Sequence, residues 1–307
     1  GARGFRPVKS QKRKNSGMDL SIVVCAYDMQ RELPRTAFTL GSKFQRDIEG
    51  LNYEIIVVDN GSPQRVLEED LQQYAPNLQV VRIDAASPSP ASAINKAMQD
   101  ARGEVLGLFI DGARMASPRL IREAMDAYRI DSNKIIGSFA FHLGPEVQMR
   151  SVAAGYNQAA EDKLLASVPW RDDGYALFSI SVLAGSSRQG WFGNIAESNG
   201  VFMDRTLWNR LGGLDERFTS PGGGMVNLDF WKRAVEASSA KPWMILGEGT
   251  FHQVHGGAAT GSDEGARQGM FDEYEAIRGS AFEMPSYHPR LIGTLDTALA
   301  LQFGKIS

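Results

Sequence analysis

The chain has 307 residues, enough for one large α/β domain or two small ones. Hydrophobic residues make up 43%, which supplies a sizeable core and excludes wholesale disorder. Lys and Arg number 33 against 36 Asp and Glu, a net charge of −3, so bulk charge does not recruit nucleic acid.

Residues 1–18 read as a disordered basic arm or linker. Arg3, Arg6, Lys9, Lys12, Arg13 and Lys14 stand there without an acid, in a Gly- and Ser-containing stretch of low apolar content. Such an arm suits anionic lipid or an acidic partner, and a plain linker is its simpler use. Cys25 is the only cysteine, which excludes an intramolecular disulfide and a zinc site of clustered cysteines. Following Ser21-Ile-Val-Val, it reads as a buried strand thiol. No run approaches the roughly 20 apolar residues of a membrane span, and no signal-peptide pattern is present. A cytoplasmic protein is expected, with peripheral contact at the inner face of the membrane left open.

Strand-like and helix-like runs alternate through the first half. Residues 20–27, 53–58, 78–83 and 104–110 are apolar and rich in β-branched side chains, and residues 31–48, 66–74 and 91–101 have helical spacing between them. This rhythm predicts a parallel sheet with helices on both faces. Three acids, Asp59, Asp84 and Asp111, close consecutive strands, at the edge where open α/β sheets bind ligands. Asp111 ends the run between Gly103 and Gly112, and two readings stand for it: a cap of the next turn, or a carboxylate holding a divalent metal against a phosphate.

The second half is less regular. The pattern predicts a strand over 134–141, an Ala-rich helix over 151–165, a strand over 175–183 and a Gly/Ser-rich loop over 184–193. A helix over 226–237, a short strand over 243–246 and a helix over 267–277 follow. No internal repeat and no domain boundary is evident.

Four stretches occur in order: Ser21-Ile-Val-Val-Cys-Ala-Tyr-Asp28, Tyr53-Glu-Ile-Ile-Val-Val-Asp-Asn-Gly-Ser62, the strand end at Asp111, and Leu211-Gly-Gly-Leu-Asp-Glu-Arg-Phe218. Together they resemble the glycosyltransferase family 2 pattern on the GT-A fold, over roughly residues 20–260. The resemblance implies a single α/β domain at 19–262 with a mostly parallel, Rossmann-like central sheet flanked by helices. Its nucleotide-binding half spans about 19–115 and its acceptor half about 116–262, and a helical extension follows at 263–307. It further implies transfer of a sugar from a nucleotide-diphosphate donor to a glycan or lipid-linked acceptor in surface polysaccharide building, with inversion and with Mn²⁺ or Mg²⁺. A retaining transferase on the same fold, and a catalytically silent nucleotide-sugar or glycan-binding module, are the alternatives.

Carried over by position, the resemblance sets Ala26 and Tyr27 beside the nucleotide, Asp59 on the base or ribose, and Asp84 as a second nucleotide contact. Asn95 stands near the donor or simply faces solvent on its helix. Asp111 matches the first acid of the metal motif, but Gly112-Ala113 replaces the second. One carboxylate can still hold a hard cation whose other positions go to water and diphosphate oxygen. His252 and His255 are candidates to complete the metal site. In an extended strand they would face opposite sides, so one is expected in the site, His252 ahead of His255, with the other supporting it. The catalytic base is expected in the segment Gly224-Met-Val-Asn227-Leu-Asp229. Asn227 stands in the acid's place and an amide cannot take the proton, which leaves Asp229 as the base, or else Glu197. Asn199 is expected at the acceptor, and Trp191, in Gly190-Trp-Phe-Gly193, either forms an acceptor platform or belongs to the core.

Overall fold

A computed structural model describes residues 17–255 and 264–304. Most of the expected basic arm, and Gly256 and Gly257 after the histidines, lie outside the described residues. Strand β1 (Leu20–Ala26) is buried along its whole length, and its alternate side chains enter different apolar clusters. Ile22 and Val24 join one, Val23 and Cys25 the other. A strand apolar on both faces requires cover on both sides of its sheet. That cover comes from α1 (Leu33–Leu40) and α4 (Leu120–Ile130) on the Ile22 face, and from α3 (Ala91–Asp100) and α8 (Val226–Ala237) on the Val23 face.

Strands β2 (Tyr53–Asp59), β3 (Leu78–Arg82) and β4 (Val105–Phe109) extend β1 in the order β3-β2-β1-β4, all parallel. The short β5 (Arg114–Ala116) leaves that ladder and pairs elsewhere. Beyond β4 lie β8 (Val201–Asp204), β6 (Ile136–Leu143), β9 (Trp243–His252) and β10 (Arg290–Gly293). Strand β8 is antiparallel to both its neighbours, and β9 is parallel to β6. Two reversals around β8 therefore bring the C-terminal end of β9 to the same sheet edge as the ends of β1, β2 and β4. Strand β5 pairs antiparallel with β9, and β7 (Ser181–Leu183) with β6.

The architecture is the mostly parallel α/β sheet that the sequence predicts, and the local differences have physical causes. Helix α1 stops at Leu40 rather than running to residue 48, because Gly41 turns extended and packs so close to Tyr74 that a Cβ would lie 2.5 Å from its carbonyl oxygen. Between β2 and β3 only α2 (Glu68–Gln72) is helical. The helix expected over 151–165 divides into α5 (Gln148–Ala153) and α6 (Gln158–Ala166). Gly155 takes φ +94°, and the Asn157 side chain accepts from Ala160 N–H to start the second. The stretch at 175–183 is a 3₁₀ turn, Gly174–Ile180, before β7. Strand β9 does not end at Leu246: Gly247, at φ +75°, kinks the strand without ending it, and the chain pairs on to His252. After α7 (Arg205–Leu211), the C-terminal segment supplies α9 (Glu264–Arg278) and α10 (Thr297–Phe303). It also supplies β10, so it adds a strand to the main sheet rather than helices alone.

Candidate functional site

Asp111 follows β4 at the C-terminal sheet edge, and the turn it opens explains the local sequence. Its Oδ1 accepts from Ala113 N–H at 2.8 Å, while its Oδ2 faces two imidazoles. The turn-cap and ligand readings are thus met by different oxygens of one carboxylate. Gly112 is pressed against β1 and α1: a Cβ there would lie 3.0 Å from Ala26 and 3.1 Å from Leu33. Ala113 is fully buried. A second acid at either position would be forced into apolar packing.

The two histidines reach Asp111 by different routes. His252 is the last residue of β9, opposite Arg114 of β5. The next residue leaves the strand, with Gln253 N–H donating to Ala113 O at 2.8 Å. Val254 N–H then donates to Glu161, and Arg31 donates to the Val254 carbonyl, which turns His255 back toward the sheet edge. His252 Nε2 lies 2.9 Å and His255 Nε2 3.1 Å from Asp111 Oδ2, and the two nitrogens are 3.1 Å apart. The expectation that they face opposite sides is corrected: strand alternation ends at His252, so it does not govern His255.

The electrostatics separate the two rings. Burial pushes the Asp111 carboxyl up, but the charges and hydrogen bonds of His255 and His252 outweigh it and hold the group well below the usual carboxylate range. Burial also disfavours charge on His255, yet the Asp111 carboxylate prevails and raises it. His252 is pushed down to about 4, by burial first and then by the Arg114 charge, and so is neutral near pH 7. His142, register partner of His252 on β6, is pushed down to about 2 by burial and by His252, and its Nδ1 accepts from Gln148 N–H at 2.8 Å.

A second group gathers where α8 begins. Asn227 Nδ2 donates to Glu197 Oε2 at 2.6 Å, to Ser198 O at 3.2 Å and to Asn199 Oδ1 at 3.3 Å. Burial raises the Glu197 carboxyl above its ordinary value, against the Asn227 hydrogen bond and the Arg114 charge. Glu197 and Asp111 are the two acids whose charges act on Arg114, which relates this group to the Asp111 cluster.

Other expected site residues are used by the fold. Asp229 is 1% exposed; its Oδ1 accepts from Arg278 Nε at 2.6 Å and its Oδ2 from Arg233 Nε and Arg278 Nη2, both at 2.8 Å. Both oxygens are held by guanidinium, so the structure corrects its assignment as base. Asn95 donates to Leu214 O and Glu216 and accepts from Leu214 N–H, so it clamps the Leu211–Asp215 loop rather than standing free near a donor. Asp84 is exposed and pairs with Arg82 and Arg65. Asp59 is fully buried and accepts from Ser62 N–H, Val66 N–H and Arg82, so it shapes the turn after β2. Burial alone would raise its carboxyl, but those donors lower it. Trp191 is 1% exposed among Phe139, Phe141, Phe178 and Phe303, with its indole N–H on Leu299 O at 2.9 Å. That is a core position, not a platform. Ala26 is buried at the end of β1, and Tyr27 beside it is exposed.

Arg114 and His142 stand beside His252 without having been expected there. The signal for Arg114 was present: a cation inside the apolar run Ala113-Arg-Met-Ala116, three residues past Asp111. His142 carried no local signal, because only the β6–β9 register brings it to His252.

A family model described as Glycosyl transferase family 2 matches residues 21–184, just over half of the chain. Dolichol-phosphate mannosyltransferase of Pyrococcus furiosus is 29% identical over 123 residues, which cover 39% of this chain and 33% of that protein. The chain thus matches about a third of that relative's length. Among solved structures, S. aureus TarS 1–349 in complex with UDP-GlcNAc is similar with a TM-score of 0.52 and 14% identity, covering 84% of this chain and 67% of that one. S. aureus TarS is similar with a TM-score of 0.50 and 14% identity, covering 77% and 37%. At that identity the likeness is one of fold.

Proposed function

The chain belongs to glycosyl transferase family 2, and we propose that it moves a sugar from a nucleotide-diphosphate donor to a glycan or glycoconjugate acceptor, with inversion at the anomeric carbon. The observation that carries this reading is the convergence of Asp111, His252 and His255 at the sheet edge, with their ligand atoms within 4.8 Å of one another. Two imidazole nitrogens and one carboxylate oxygen suit Mn²⁺ better than Mg²⁺, which prefers an all-oxygen shell. A divalent cation held by these three residues supplies positive charge to the diphosphate leaving group. The donor class is supported by the family and by the UDP-GlcNAc seen on TarS. Building of a surface polysaccharide at the cytoplasmic side of a membrane is carried by the resemblance; among the described residues no helix is long and apolar enough to cross a membrane.

Glu197 is the proposed base. As the acceptor oxygen attacks the anomeric carbon, its proton passes to the Glu197 carboxylate, and the anomeric C–O bond to the diphosphate breaks with its electron pair on the leaving oxygen. Burial, by raising this carboxyl, moves its basicity toward the working pH. Asn227 orients it by holding Oε2 and also donates to Asn199, the residue proposed to meet the acceptor. Tyr27, exposed at the end of β1, offers a ring face to the nucleotide base. Proton NMR of the product formed from an α-linked nucleotide sugar tests the stereochemistry: a β-linked product is expected. An α-linked product would make the enzyme retaining and remove the need for Glu197 as base, and nucleotide-sugar binding without any transfer would make the chain a binding module.

A further inference from the structure

Arg114 opens β5 and is 8% exposed, opposite His252 in an antiparallel pair. His142 is the register partner of His252 on its other side, and the two rings lie 5.5 Å apart, so all three side chains share one face of the sheet. Two guanidinium nitrogens of Arg114, Nε and Nη1, are buried with no hydrogen-bond partner among the described residues. Two other cations are satisfied: Arg233 donates to Asp229 and to the Leu211 and Gly213 carbonyls, and Arg205 to the Met98, Ala101 and Gly103 carbonyls, while Arg31, with one such buried nitrogen, has its other two on Glu32, Glu161, Asp162 and backbone carbonyls. A guanidinium cannot shed its proton to escape burial, so idle donors there are strongly unfavourable unless a ligand meets them.

We propose that Arg114 binds the diphosphate of the donor directly, its idle N–H groups completed by phosphoryl oxygen; this rests on the nucleotide-sugar reading above. Idle N–H donors on a fixed cation call for an oxyanion, and the two carboxylates whose charges act on Arg114, those of Asp111 and Glu197, leave Nε and Nη1 unmet. Among the reactants, the diphosphate carries negative charge, and its β-phosphoryl oxygen bonded to the anomeric carbon gains more when that C–O bond breaks. Fixed guanidinium donors aimed at that oxygen stabilise the departing group without reorganisation. This also accounts for a metal motif with one acid. Where a second carboxylate is expected the chain has buried Ala113, and the residue after it supplies a positive charge from the protein itself.

The test is differential scanning fluorimetry and calorimetry on the wild type, Arg114→Gln and Arg114→Lys, with inorganic pyrophosphate, UDP, GDP, uridine and guanosine, in Mn²⁺ and in EDTA. Pyrophosphate is expected to raise the wild-type Tm in EDTA as well as in Mn²⁺. Arg114→Gln should lose that response and weaken the preferred nucleoside diphosphate by about 10- to 100-fold, while leaving its nucleoside unchanged. Arg114→Lys should keep part of the response. Without ligand, Arg114→Gln should melt no lower than wild type, since it removes an unsatisfied buried charge. An Arg114→Gln protein that still answers to pyrophosphate and the diphosphate as wild type does would overturn the proposal, as would a wild type that answers to none of the phosphates. An Arg114-dependent response to pyrophosphate with no response to UDP or GDP would instead overturn the nucleotide reading and leave the anion site standing.

Discussion

Asp229→Asn separates a structural carboxylate from a catalytic one. Asp229 is buried and joins Arg233 of its own helix to Arg278 of α9, which also bonds Asp215 at 2.8 Å. Removing one partner of a buried ion pair costs about 3–5 kcal/mol. The two arginine heads keep 22% and 23% exposure and the amide still accepts one bond, so the lower end, about 3 kcal/mol, applies. Unfolding entropy of about 2.1 cal/mol/K per residue gives a chain of this size about 0.6 kcal/mol/K, which converts the loss to a fall in Tm of about 5 °C. Thermal unfolding followed by circular dichroism reads this directly, with turnover measured well below Tm. The account expects a lower Tm and a kcat within about twofold of wild type, because no charge on Asp229 enters the chemistry. An unchanged Tm with turnover down by 10² or more (on the order expected for a lost general base) would refute this reasoning and return Asp229 to the role of base.

Trp191→Ala should lower stability by about 3–5 kcal/mol, or about 5–8 °C in Tm, because the indole fills the aromatic cluster under α10. An unaltered Tm with a raised acceptor KM would make Trp191 an acceptor platform instead. Glu248 should contribute a stability that falls as the pH rises. Burial raises the Glu248 carboxyl from 4.5 to about 7, so the folded state holds a proton that the unfolded state releases between those values. The Glu248 contribution is fully present below about pH 4.5 and lost through pH 7, by up to about 3 kcal/mol, while the lowered His252 and His142 contribute in the opposite direction below about pH 6.5. The difference between wild type and Glu248→Gln in denaturant midpoints at pH 5.5 and 8 isolates the Glu248 contribution: the wild type should lose more stability toward pH 8 than the variant, whose amide can still meet Tyr175 and the Arg119 N–H. The same pH dependence in both proteins would show that Glu248 does not carry that proton.

Much of the fold was legible because four parallel strands announce themselves as short apolar runs ending in turn residues. Asp111 was legible for the same reason: an acid closing a buried strand stands out against its neighbours. What the sequence hid depends on contacts between distant segments. Asp229 looked like a free acid at a helix start because Arg278 lies 49 residues away. Trp191 looked like a loop residue because Leu299 and Phe303, which bury it, come from the end of the chain. His255 joined His252 through a loop held by Glu161 and Arg31, and no alternation rule describes such a loop. Gly247 carried turn chemistry yet sits inside β9, since a kinked strand and a finished one look alike until the partner strand is known.

The carboxylate of Asp111, gathered with His252 and His255, is proposed to work on a nucleotide sugar. Release of nucleoside diphosphate from a panel of UDP- and GDP-sugars, in Mn²⁺ with wild type and Asp111→Asn, tests it most directly. The account predicts turnover of one donor by the wild type and a loss of about 10²-fold or more in a folded Asp111→Asn protein. An Asp111→Asn protein that turns over that donor at the wild-type rate would contradict it.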